Sequence, residues 1–199
     1  MLAIRILSNL SAIEDDNCSE KLINLGLVEK INSNLRGDCE PLIGDSLWCL
    51  GNLVLVRGES LRMRILDKNV ASSVIFAWMM RPDGEVGWEC SNTLCNIFKM
   101  ADDDWSRRFV DENIELISFV LAELSKCGEG VKKRIVKLIV LLDKIFSLGY
   151  ADGVDGSNLF TEFALEDQNI SVLEKLQEHK NETVFKMASD LVEMHFQTD

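Results

Sequence analysis

Only two prolines interrupt this chain, Pro41 and Pro82, and no stretch sustains a strict alternation of apolar and polar residues. Period-two patterning is the sequence mark of half-buried strands, so β-structure is excluded as the main element. Histidine is equally scarce. His179 and His195 lie far in sequence from the cysteines, and no two of Cys18, Cys39, Cys49, Cys90, Cys95 and Cys127 have C-x-x-C spacing. Neither a metal site nor a nucleophile with its base is spelled out, and no Gly-rich phosphate loop occurs, so the expectation is a protein without metal, cofactor or catalysis. The longest apolar runs, such as "IVKLIVLL" (135–142), are too short to span a bilayer, and no basic-then-apolar signal segment opens the chain. The cysteines therefore read as free thiols in a reducing compartment, and the sequons at Asn9, Asn17, Asn169 and Asn181 as unmodified.

Positive charge is also in short supply. Lys and Arg number 21 against 33 Asp and Glu, a formal charge of -12, which disfavours nucleic acid and anionic membranes as ligands and favours a basic partner. What the chain does have is 47% hydrophobic content, enough for a sizeable core, with apolar residues recurring at three and four from end to end, as in "LVEKINSNL" and "VLEKLQEHK". It is expected to be all-α.

An all-helical chain of this length can be a bundle or a stacked array, and internal repetition distinguishes them. Aligning "IRILSNLS", "LWCLGNLV" and "NTLCNIFK" superposes Asn9, Asn52 and Asn96, with separations of 43 and 44. The same separations superpose Gly26, Asn69 and Asn113 in a second set. Gly and Asn tolerate a left-handed backbone, so this second position reads as the turn between one helix and the next. Asn169 in "EDQNISVLEKL" continues the set after an excess of 13 residues, matched by the Gly- and Asp-rich "GYADGVDGSNLFT" (149–161). A period near 43 with three helices per unit is that of an armadillo-type α-solenoid, here about four to five stacked repeats. The expected division is a partial repeat at 1–16, repeats at 17–57, 58–101 and 102–148, an inserted acidic loop at 149–161 and a capping repeat at 162–199.

Third helices of such repeats line a groove, which would make Asn9, Asn52 and Asn96 a ladder. A carboxamide carries a donor and an acceptor on a short arm, so a row of them can hold the unpaired backbone of an extended peptide. Trp48 stands one turn before Asn52 on the same face, where an indole offers a slot for the stem of Lys or Arg. Asp45 and Glu89 each lie three residues before the corresponding position, Trp48 and Asn92, and would select for positive charge. Trp105 and Trp78, on first and second helices, read as core.

At these residues the chain resembles the importin-alpha family, armadillo adaptors whose third helices carry W-x-x-x-N with a preceding acidic residue. "DSLWCLGN" matches that pattern, "AIRILSNLS" resembles the family's central repeat with Arg5 in the Trp place, and "LEKLQEHKNETVFKMASDLVEMHF" resembles its closing repeat. The resemblance implies a nuclear import adaptor, shuttling between cytoplasm and nucleus, that binds basic nuclear localisation signals, and whose last repeats bind a recycling exportin. Two departures stand out: Asn92 occupies the next Trp place, with Trp88 one turn earlier, and the chain starts at the family's midpoint. The importin-beta-binding segment is thus expected to be absent, and the N-terminal end to be open to self-association. The alternative is an armadillo scaffold with no preference for basic signals.

Overall fold

A computed structural model describes residues 2–13, 15–128, 130–149 and 158–196. Thirteen α-helices and no strand occur among them. They fall into two compact units, residues 1–101 and 102–199.

The first unit contains α1 (Leu2–Ser11), α2 (Asp16–Asn24), α3 (Leu27–Leu35), α4 (Glu40–Leu53), α5 (Glu59–Leu66), α6 (Val70–Met80) and α7 (Gly84–Met100). Local chemistry sets the boundaries. Asp15 starts α2 by accepting the amide of Asn17, an N-cap that satisfies one of the helix's orphan donors. Gly26 (φ 82°) and Asn69 (φ 58°) are left-handed, as the repeat alignment anticipates, and let α2 turn into α3 and α5 into α6. Pro41 sits in the first turn of α4, where its missing N–H costs nothing, and Pro82 lies between α6 and α7. Gly87 in α7 has no room for a side chain, because a Cβ there would overlap the carbonyl of Pro82.

Packing follows the repeat. α1 lies against α4 and α4 against α7, so the third helices stand side by side, while α3 and α6 back them. Ser8 and Ser11 of α1 bond the carbonyls of Asp45 and Cys49, and this matched order makes α1 and α4 run in the same direction. Fully buried Leu47, Leu50, Trp78, Leu94 and Phe98 fill the space between these layers. Trp78 is thereby core, as its second-helix position implies. Cys49, Cys90 and Cys95 are also buried, whereas Cys39 is exposed and Cys18 half-buried.

The second unit contains α8 (Asp103–Glu112), α9 (Glu115–Ser125), α10 (Lys132–Leu148), α11 (Leu159–Leu165), α12 (Ser171–Leu176) and α13 (Glu182–Phe196). Asp102 caps α8 by accepting the amide of Trp105 at 2.6 Å. Trp105 is half-buried and stacks on Phe109 with ring centroids 5.1 Å apart. Asn113 is not left-handed, at φ -136°; its side-chain Nδ2 donates to the carbonyl of Phe109 and its backbone N–H to that of Val110, closing α8 in another way. Asn169 is not left-handed either; its carboxamide bonds Asp167. Most of the expected loop at 149–161 lies outside the described residues. Its last part differs from the expectation, since buried Asn158 accepts the amides of Phe160 and Thr161 to cap α11 and donates to the carbonyl of Phe146 in α10.

Candidate functional site

The side-by-side third helices of the first unit bring Arg5, Asn9, Asp45, Trp48, Asn52, Trp88, Glu89, Asn92 and Asn96 onto α1, α4 and α7. Trp48 is 44% exposed, far from the sealed state of Trp78. One turn before it, Gly44 has open space where a Cβ would sit. Asn9 is exposed, and Asn52, Trp88, Glu89, Asn92 and Asn96 are half-buried.

The ladder asparagines make the same joint twice. Asn52 Nδ2 donates to the carbonyl of Ser8 at 3.4 Å, and Asn96 Nδ2 donates to the carbonyl of Gly51 at 3.2 Å. Each acceptor is the residue just before the preceding ladder asparagine. Gly51 lies near the end of α4, where carbonyls lose their helical partners, so Asn96 supplies a missing bond. One of the two Nδ2 donors of each asparagine is therefore used for register between helices. Among the described residues neither Oδ1 is hydrogen-bonded, which leaves an acceptor on each for a ligand N–H.

Charge is arranged differently from the sequence expectation. Arg5 Nε donates to both Asp45 oxygens at 3.0 Å, and the Asp45 side chain is only 13% exposed. Asp45 is thus neutralised from within rather than open to an incoming cation. The unpaired acidity lies one helix further on. A notch of about 200 Å³ is lined by Arg5, Glu40, Asp45, Asp83, Glu85 and Val86, at the first turns of α4 and α7. Glu89, one turn beyond Glu85, has its carboxyl pushed above the usual range, first by burial and then by repulsion from Glu85. No cation pairs with Glu85 or Glu89 among the described residues, so the pair is short of positive charge. Asn52 itself lines a smaller pocket of about 130 Å³ between the ends of α1 and α4, with Asp15, Asp16 and Leu55. Asp16 is committed there, accepting the backbone amides of Arg57 and Gly58 at 3.1 and 2.8 Å.

Sequence reasoning missed Glu40, Asp83 and Glu85. A signal existed: Glu85 and Glu89 have the four-residue spacing of one helix face, and an acidic residue opens both α4 and α7. No group of His, Cys, Asp and Glu able to hold a metal ion occurs among the described residues. No described helix is long and apolar enough to cross a membrane.

No protein-family model matches the chain, and no curated protein matches it in sequence. Solved structures do. An engineered protein superposes with a TM-score of 0.75 at 18% identity, covering 99% of this chain, which spans 44% of that one. A designed armadillo repeat protein in complex with a (KR)4 peptide gives 0.62 at 19% identity, covering 96% of this chain and 90% of the other. A computationally designed armadillo repeat protein for modular peptide recognition gives 0.64 at 17% identity, covering 96% and 91%. At such identities the likeness concerns architecture: the chain has the all-α fold of an armadillo-repeat solenoid.

Proposed function

We propose that this protein is an adaptor that holds an extended, basic segment of a partner protein across α1, α4 and α7, with nuclear localisation signals as the ligand class and no catalytic step. The observation that carries this reading is the half-exposed Trp48, set on the same row of helices as the cation-poor Glu85–Glu89 pair. A Lys or Arg stem laid on the indole gains roughly 0.5–2 kcal/mol, and its charged end finds the acidic notch. Spare Oδ1 atoms on Asn52 and Asn96 accept from the ligand backbone. The designed relative that was solved with a (KR)4 peptide lends the fold a precedent for basic ligands. By the importin-alpha resemblance, α11–α13 would contact a recycling exportin, and the protein would shuttle between cytoplasm and nucleus.

Titration of a Lys-rich peptide, followed by tryptophan fluorescence, tests the reading. Affinity in the micromolar range is expected, about 8 kcal/mol, with a loss of roughly ten-fold for Trp48→Ala and weakening as salt rises. An affinity indifferent to that substitution would remove the pocket. A second reading is favoured by the committed Asn52 and Asn96 donors, which serve register between helices: a scaffold that assembles partners through shape and apolar contact. Such binding would persist at high ionic strength.

A further inference from the structure

Helix α10 reverses the charge of the row that α7 presents. Aligning "NIF" at 96–98 with "KIF" at 144–146 relates the two helices by a shift of 48 residues, and burial agrees with it: Cys90, Leu94 and Phe98 are sealed, as are Leu138, Leu142 and Phe146. The row Glu85, Glu89, Asn92 and Asn96 of α7 then corresponds to Lys133, Lys137, Val140 and Lys144 of α10. Steps of four, three and four keep these side chains on one helix face. Lys133 is exposed, Lys137 half-buried and Val140 45% exposed, so the face is open from Lys133 to Val140, while Lys144 at its far end is held by Asp103.

This face runs against its setting. Residues 102–199 hold 20 carboxylates against 11 cations, yet α10 carries five of those cations and a single carboxylate, Asp143, whose Oδ1 lies 2.9 Å from His195 Nε2. The cations do not serve the helix itself, because positive charge in a first turn opposes the helix dipole; α7, α8 and α9 open with acids instead. Internal partners take up only some of them. Glu123 pairs with Arg134, and Lys132 donates to Thr183 of α13 at 3.2 Å, but Lys133 has no polar partner among the described residues. An acidic peptide fits such a face better than a nucleic acid or an anionic bilayer, since a short strand can keep to one helix while a larger polyanion also meets the surrounding carboxylates. Same-side residues of an extended strand repeat about every 6.6 Å, close to the rise of about 6 Å from Lys133 to Lys137.

We infer that α10 is a second docking face, which takes an extended acidic segment of a partner protein on Lys133 and Lys137, with an apolar side chain of that segment against Val140. It stands apart from the basic-ligand reading, because the two faces select opposite charge. Fluorescence anisotropy of a fluorescein-labelled octaglutamate peptide, titrated with the full chain, tests it. Binding is expected at low salt and weakens as ionic strength rises, and the bound peptide slows amide hydrogen exchange in α10. Lys133→Glu is expected to weaken this binding roughly ten-fold, with unchanged circular dichroism and unchanged affinity for the Lys-rich peptide. Lys133→Arg retains it, as does Lys175→Glu, which makes the same charge change at an exposed residue of α12. Absence of octaglutamate binding at low salt overturns the inference, and so does binding indifferent to Lys133→Glu. A single-stranded oligonucleotide or phosphatidylserine vesicles bound as tightly as octaglutamate would overturn the assignment of an acidic peptide.

Discussion

At the scale of single residues, the function turns on which carboxylates keep their charge free. Arg5 closes Asp45 with two contacts at 3.0 Å, so Arg5→Gln should expose a carboxylate beside Trp48. A Lys-rich peptide is expected to bind that variant roughly three- to ten-fold more tightly, read by the same fluorescence titration; weaker binding would mean that the guanidinium itself contacts the ligand. Glu89 makes the opposite point. Its folded pKa lies above the ordinary 4.5, so the native state holds this proton more firmly, and stability falls as pH rises from 4.5 through the folded value. Glu89→Gln is therefore expected to raise the melting temperature at pH 7, to lose that advantage below about pH 4.5, and to weaken cationic-peptide binding at neutral pH. Residue types at these places were readable from the repeat, but Asp45 and Glu89 occupy equivalent positions and differ in state. The difference comes from α1, which supplies an arginine to one of them.

At the scale of elements, the turns and the buried charges decide whether helices hold their places. Asn69 adopts φ 58°, which an asparagine tolerates and an alanine does not, so Asn69→Ala is expected to cost about 1–2 kcal/mol in urea unfolding, with Asn69→Gly close to neutral. In the second unit, Glu123 is 2% exposed at the end of α9, and its carboxylate accepts from Lys126 at 2.6 Å and Arg134 at 2.7 Å. Glu123→Ala would remove the buried carboxylate that Lys126 and Arg134 share, and a loss of about 1–3 kcal/mol is expected from the same measurement. The left-handed turns were legible because one residue's intrinsic preference sets them. Asn113 shows the limit: its side chain found a bond to Phe109, and the local competition overrode the alignment.

At the scale of the molecule, the amide row belongs to the first unit. Where α7 reads "NIF" at 96–98, α10 reads "KIF" at 144–146, and Lys144 is held by Asp103. A basic peptide is accordingly expected to slow amide hydrogen exchange in α1, α4 and α7 and to leave α8–α13 unchanged; protection confined to residues 102–199 would move the site. Peptide binding should also weaken as ionic strength rises, because it draws opposite charges together.

The sequence by itself determined the helical class, the 43- to 44-residue repeat, the third-helix positions of Trp48 and the asparagines, and the Gly26 and Asn69 turns, since periodicity and backbone preference act locally and leave their mark on every copy. Only the tertiary structure decided that Arg5 silences Asp45, that the asparagine donors stitch neighbouring helices, and that Glu40, Asp83 and Glu85 gather at one notch. Those outcomes depend on which side chain of one repeat reaches which atom of the next, some 40 residues away. Such distances across the stack are set by helix packing, and no spacing along the chain encodes them.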